Sequence, residues 1–152
     1  MSRRGRVLAV AISVGAAAAI AAGCGNGAQN DYVDQVNNIQ QQIVDEATSA
    51  TASTPSNPQE AADAGRQIAD AFQNGADDLA ALDPPSEVAD LNDQLQQELS
   101  SVADQINHAA DSFESGNAQQ AAQAAVELQS SVTEAQSQLN SLIDQINAQF
   151  GN

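Results

Sequence analysis

Residues 88–113 read VADLNDQLQQELSSVADQINHAADSF, and the apolar residues Val88, Leu91, Leu95, Leu99, Val102, Ile106, Ala109 and Phe113 are spaced along them in alternating steps of three and four. That spacing follows one face of an α-helix, whose turn takes about 3.6 residues, so the stretch predicts a long helix with a single apolar seam. A strand would need alternation at every second residue and a β-branched run, and neither is present.

The same rhythm extends outward in both directions. Downstream, Ala121, Ala125, Leu128, Val132, Ala135, Leu139, Leu142, Ile146 and Phe150 mark a second seam. Upstream, Tyr32, Val36, Ile39, Ile43 and Ala47 form a stripe widened by Val33 and Val44. A fourth seam runs through Ala61, Gly65, Ile68, Phe72, Gly75, Leu79 and Leu82, with small and large residues alternating. Glycine costs a helix about 1 kcal/mol. Gly65 and Gly75 are therefore read either as sites of close helix approach or, at Asn74-Gly75, as a kink or early stop.

Boundary residues agree with these seams. Asn57-Pro58-Gln59-Glu60 has the pattern of a capping box with proline at the first helical position. Asn117-Ala118-Gln119-Gln120 repeats the box directly after Gly116, a stop signal. Asp83-Pro84-Pro85 ends one helix and precedes the next, because a residue before proline avoids helical geometry. Short connections between long amphipathic helices favour antiparallel neighbours. The expected fold is all-α, an antiparallel (up-down-up-down) four-helix bundle, with a three-helix bundle and a loose N-terminal segment as the alternative. An even helix number would bring Phe150 back to the end where the first helix starts, with the turns near Thr54 and Ser115 expected at different ends.

Composition alone points elsewhere. From Cys24 onward Leu, Ile, Val and Phe make up 24 of 129 residues, under the roughly 20% below which a highly charged chain reads as disordered. Placement decides against disorder, because scattered residues would not keep to one face. Alanine at so many seam positions makes the core thin, and fold stability is expected to be modest and salt-dependent.

Charge divides the chain. Arg3, Arg4 and Arg6 lie at the N-terminus, whereas everything from Cys24 on carries twenty carboxylates, Arg66 as its one base and no lysine. Nucleic-acid recognition draws on Lys and Arg displacing counterions from phosphate, so no nucleic-acid partner is expected. Anionic lipid headgroups would repel the same surface, while basic partners or cations would be attracted.

Met1 to Arg6 are basic, Val7 to Ala22 are uncharged and apolar or small, and Gly23-Cys24 follows. This is the order of a cleavable export signal, and the run is shorter than the roughly 20 residues a spanning helix needs. Ser2-Arg3-Arg4 reads as an ordinary basic leader rather than a twin-arginine signal, because Arg6 stands where that pattern wants a large apolar residue. The stretch Ile20-Ala21-Ala22-Gly23-Cys24 resembles the lipobox of bacterial lipoproteins, with Ala22, Gly23 and Cys24 matching and Ala21 standing where leucine is usual. The resemblance implies diacylglyceryl transfer to the Cys24 thiol, cleavage before it, and anchoring of the mature N-terminus in the membrane by acyl chains. Two or more chains hold a protein stably, at about 0.8 kcal/mol for each buried methylene. Asp31-Tyr32-Val33-Asp34-Gln35-Val36-Asn37 together with Leu82-Asp83-Pro84-Pro85 is similar to small helical lipoproteins of unknown function from Gram-positive bacteria, which implies an envelope location and helices but no activity. The expected organisation is a lipoprotein signal peptide over 1–23, a flexible tether over 24–30 and an acidic helical bundle over 31–152.

Constellations for chemistry are sparse. Asp104, His108 and Asp111 share one helix face and could form half of a cation site, but that face points away from the apolar seam and reads as solvated ion pairing. Asp77-Asp78 and Asp83 cluster without EF-hand spacing. The single histidine has no evident serine or cysteine nucleophile to activate, and the Glu-x-x-His pairs of di-iron bundles are missing. No catalytic, metal or cofactor-binding residues are assigned. The glutamine-rich stretches Gln40-Gln41-Gln42 and Gln119-Gln120 read as solvated helix faces. The expectation is a membrane-anchored, non-enzymatic interaction or scaffold module facing an unidentified envelope protein; the alternative is a carrier for a small ligand or cation.

Overall fold

A computed structural model describes residues 27–115 and 117–150 of the chain. The leader, Cys24 and Gly116, on which several sequence expectations fall, lie outside the described residues. Within them the chain is all-helical, and no strand is present among the described residues. The elements are α1 (Gly27–Ala50), α2 (Pro58–Ala80), α3 (Ala89–Glu114) and α4 (Ala118–Gln149). Helix α1 begins at Gly27, so residues 27–30, expected to belong to the tether, are helical.

Capping chemistry sets two of the starts. Asn57 has extended backbone angles and its side-chain oxygen accepts the Glu60 N–H at 2.9 Å, with Pro58 in the first turn. Glu60 returns the interaction one residue upstream of the expected place, accepting the Ser56 N–H at 2.7 Å. Asn117 caps α4 by accepting the N–H groups of Gln119 and Gln120 at 3.0 and 3.3 Å. Helix α3 starts differently. Val88, fully buried, stands at its N-cap without a side-chain bond, and a turn closed by the Val88 N–H on the Pro85 carbonyl at 2.9 Å leads into it. Burial of an apolar residue replaces polar capping at this start.

The expected stripes lie inward. All five stripe residues of α1 are buried, with Val33, and so is the α3 seam except Phe113, which is partly buried. The α4 seam is buried at Ala135, Leu142 and Ile146, with Leu139 and Phe150 partly buried against the core. Helix α2 buries more than its expected seam, adding Ala62, Ala69, Ala71 and Ala76. The reason is its position: α2 packs against α1 on one side and α3 on the other, so one stripe cannot serve both neighbours. Each helix lies closest to its neighbours in sequence, and no Cα of α1 comes within 8 Å of one in α4 among the described residues.

Helix α2 runs unbroken through Gly75. A methyl group there would collide with the side chain of Ile43, and one at Gly65 would stand 3.3 Å from Ala110 Cβ. Both glycines mark close helix approach, Gly75 towards α1 and Gly65 towards α3, rather than a break.

The core divides lengthwise. One part holds the large side chains, among them Tyr32, Val36, Leu79, Leu95, Leu99 and Ile146. The other is mostly alanine, with Ile68, Val102 and Ile106 supplying the bulk. The expected thinness of the core is therefore concentrated at one end. At that end Gln59, in the first turn of α2, donates to the carboxylate of Glu114, the last residue of α3, at 3.3 Å. The turns near Thr54 and Ser115 thus share an end, contrary to the expectation that they lie apart, because the beginning of α2 and the end of α3 meet there.

Candidate functional site

Cys24, the expected lipidation site, lies outside the described residues. No helix among the described residues is long and apolar enough to cross a membrane.

The Asp104–His108–Asp111 row is exposed on α3. Asp111 is engaged sideways instead of with His108: its carboxylate accepts from Arg66 Nη2 on α2 at 3.0 Å. The same guanidinium pairs with Glu114 and lies 3.7 Å from Asp63. Hydrogen bonds from Arg66 and then from Gln59 hold the Glu114 carboxyl below its ordinary range. Arg66 therefore fastens the start of α2 to the end of α3. Asp77, Asp78 and Asp83 are exposed, and Asp77 accepts the Gln73 side-chain amide at 3.0 Å. No group of three or more His, Cys, Asp or Glu side chains is arranged to hold a metal among the described residues.

What the sequence did not single out is a groove of about 740 Å³ between α3 and α4. Helix α3 contributes Gln94, Gln97, Glu98 and Ser101, spaced so that all four share one face beside the Leu95–Leu99 seam. Helix α4 contributes Ser137, Gln138, Ser141 and Gln145, with the buried Leu142 among them. Amides and hydroxyls make up most of the lining, and Glu98 is its one charged member. Burial, followed by the nearby negative charge of Glu134, raises the Glu98 carboxyl above its ordinary range. Two amides are turned along their own helices: Gln94 donates to the Asp90 carbonyl at 3.1 Å and Gln145 to the Ser141 carbonyl at 3.2 Å. The arrangement offers hydrogen bonds and one carboxylate. Such a lining can hold a polar molecule through hydrogen bonds.

The second polar feature is internal. Tyr32 donates its phenolic hydrogen to Asn92 Oδ1 at 3.2 Å, and Asn92 Nδ2 donates to the Leu79 carbonyl at 3.1 Å. Both side chains are 2% exposed, so the chain links α1, α3 and the last turn of α2 through buried groups. Phe150, capping α4, meets Tyr32 edge to face, with ring centroids 6.3 Å apart. Asn92 escapes a reading by apolar periodicity because it is polar. The groove escapes because its residues look like an ordinary solvated face, and only their repetition beside the seams of two helices marks them.

No family model, no curated protein and no solved structure matches the chain.

Proposed function

We propose that the protein is a membrane-anchored lipoprotein of the extracytoplasmic face, tethered through lipid on Cys24, whose helical domain is a non-enzymatic interaction or scaffold module of the cell envelope. The observation that carries the anchor is one of placement: the chain has a single cysteine, and it directly follows a basic, then apolar, then small-residue leader ending in Ala22-Gly23. A thiol elsewhere in the chain could not both accept the diacylglyceryl group and become the mature N-terminus when cleavage follows.

The domain itself is read as an antiparallel bundle of four helices. Tyr32 early in α1, Leu79 late in α2, Asn92 early in α3 and Phe150 at the end of α4 meet at one end, as alternating directions require. At the other end the Arg66 pairs join the start of α2 to the end of α3. An acidic exterior with Arg66 as its one base suits a basic partner surface better than an anionic one.

Growth of expressing cells with an alkyne-bearing palmitate analogue tests the anchor. Label should enter the wild-type protein and be absent from Cys24→Ser, which should move from the membrane fraction to the soluble fraction. Equal membrane retention of an unlabelled wild type and the variant would sink the reading.

The α3–α4 groove favours a second reading, a carrier for a small ligand. Native mass spectrometry of protein drawn gently from its membrane separates the two: a retained small molecule speaks for the carrier, and cross-linking to a single envelope protein without one speaks for the module.

A further inference from the structure

The groove between α3 and α4 carries an electrostatic imbalance that no side chain among the described residues corrects. Arg66 is the one base from Cys24 onward, and it is committed to Asp111, Glu114 and Asp63 on another face. Glu98, in the groove wall, therefore has a second carboxylate, Glu134, nearby, and no cation among the described residues is paired with it. A partly desolvated carboxylate next to a like charge is unfavourable, and a positive group entering from solvent relieves it. Around that carboxylate the lining is neutral and polar, with hydroxyls at Ser101, Ser137 and Ser141 and amides on both helices. These groups donate and accept, which suits hydroxyls. The groove has no aromatic platform to grip a purely apolar or flat molecule.

We infer that the groove between α3 and α4 binds a small organic cation that also carries hydroxyl groups, with its ammonium at Glu98 and its hydroxyls on the serine and glutamine side chains of the two helices. The inference deepens the carrier reading and rests on it. Charge alone would make any cation equivalent on so acidic a protein, so the claim lies in the combination of one carboxylate site with a polar wall on either side.

The test is an amide-resolved NMR titration of the full chain in a non-ionic detergent, with glucosamine as probe and N-acetylglucosamine as its uncharged counterpart. Glucosamine should give saturable shifts confined to residues 94–101 and 137–145, with a Kd on the order of millimolar, as expected for so few heavy atoms. Glu98→Gln should weaken binding about threefold to fivefold, the usual scale of one partly exposed ion pair, and Glu134→Gln should weaken it less. Asp77→Asn removes the same charge from the exposed face of α2 and should change the affinity by less than about twofold, because distant surface charges are screened. N-acetylglucosamine should bind wild type no better than glucosamine binds Glu98→Gln. Shifts spread over the whole acidic surface, an equal loss from Asp77→Asn, or equal binding of the neutral sugar would each overturn the inference. Its failure remains distinguishable from failure of the carrier reading: a neutral molecule retained in native mass spectrometry while glucosamine does nothing would overturn this inference and keep the carrier. No retained molecule and no probe binding would remove both.

Discussion

Tyr32 and Asn92, sixty positions apart in sequence, share a hydrogen bond of 3.2 Å inside the core. Water does not reach this pair to replace a missing partner, so removing one oxygen should cost more than the bond's net worth. Tyr32→Phe leaves Asn92 Oδ1 buried without its donor and should lower unfolding stability by about 1–3 kcal/mol in urea titrations followed by circular dichroism. Asn92→Ala should cost more, since it strands the phenol and opens a cavity as well. Wild-type stability in Tyr32→Phe would mean that the bond contributes nothing.

Tyr32 is the one tyrosine of the chain, which makes its ionisation readable by ultraviolet absorbance. Burial pushes the phenol up from 10.0 to about 12. A group whose pKa is higher when folded stabilises the fold in its protonated form. That contribution is complete below about pH 10 and is lost as pH rises towards about 12. Absorbance of the folded protein should therefore titrate late, and the alkaline fall in stability should flatten in Tyr32→Phe. An ordinary midpoint near 10 in folded protein would show the ring to be solvated.

Gly75→Ala reverses the usual sign. At an exposed helix position the change stabilises by about 1 kcal/mol, but here the new methyl meets Ile43 of α1. The expected result is a loss of about 1–3 kcal/mol, as for other overpacked sites. Combining it with Ile43→Val, which removes the nearest carbon, should restore part of that loss in thermal melts. A more stable single variant would mean that α1 can move away freely.

The seams of α1 and α3 were legible in sequence because each has one stripe of large apolar residues, and one stripe fixes one buried face. Helix α2 was only half legible. Its second buried face is built from Ala62, Ala69 and Ala76, and alanine does not stand out in a chain where it also fills exposed positions. Asn57 was found as a cap from the box pattern, yet Glu60 closes on Ser56 rather than on Asn57, a detail set by the local path of the chain. The groove was illegible for a different reason: Gln94, Gln97 and Ser101 have the chemistry of a solvent face, and only the position of α4 makes them a wall. The Asp104–His108–Asp111 row was read correctly as exposed, but Asp111 answers to Arg66 across the helix interface, a pairing that helix spacing alone does not reveal.

Arg66→Gln should loosen the alanine-rich end selectively. Hydrogen exchange should speed up around Arg66 in α2 and in the last turn of α3, with little change around Asn92. Added salt should produce the same pattern in wild type, since the pairs are solvent-exposed and screened. Acid acts in the same direction: Glu114 has a lowered pKa in the fold, so its contribution is present above the unfolded carboxyl range and is lost as pH falls through the folded one. Uniform acceleration along the whole chain would indicate that Arg66 is not a local fastening.

The buried link from α1 through Asn92 to the last turn of α2 also has a mechanical meaning. Tension applied to the chain ahead of Gly27 arrives at Tyr32 within two helical turns, and there the ring is gripped from two sides, by Asn92 and by Phe150. Such a pull meets the hydrogen bond to Asn92 and the ring contact with Phe150 at the same residue. The alanine-rich end around Thr54 and Ser115 lies farthest from that point, so a pull entering through α1 is met first where the core holds its large side chains.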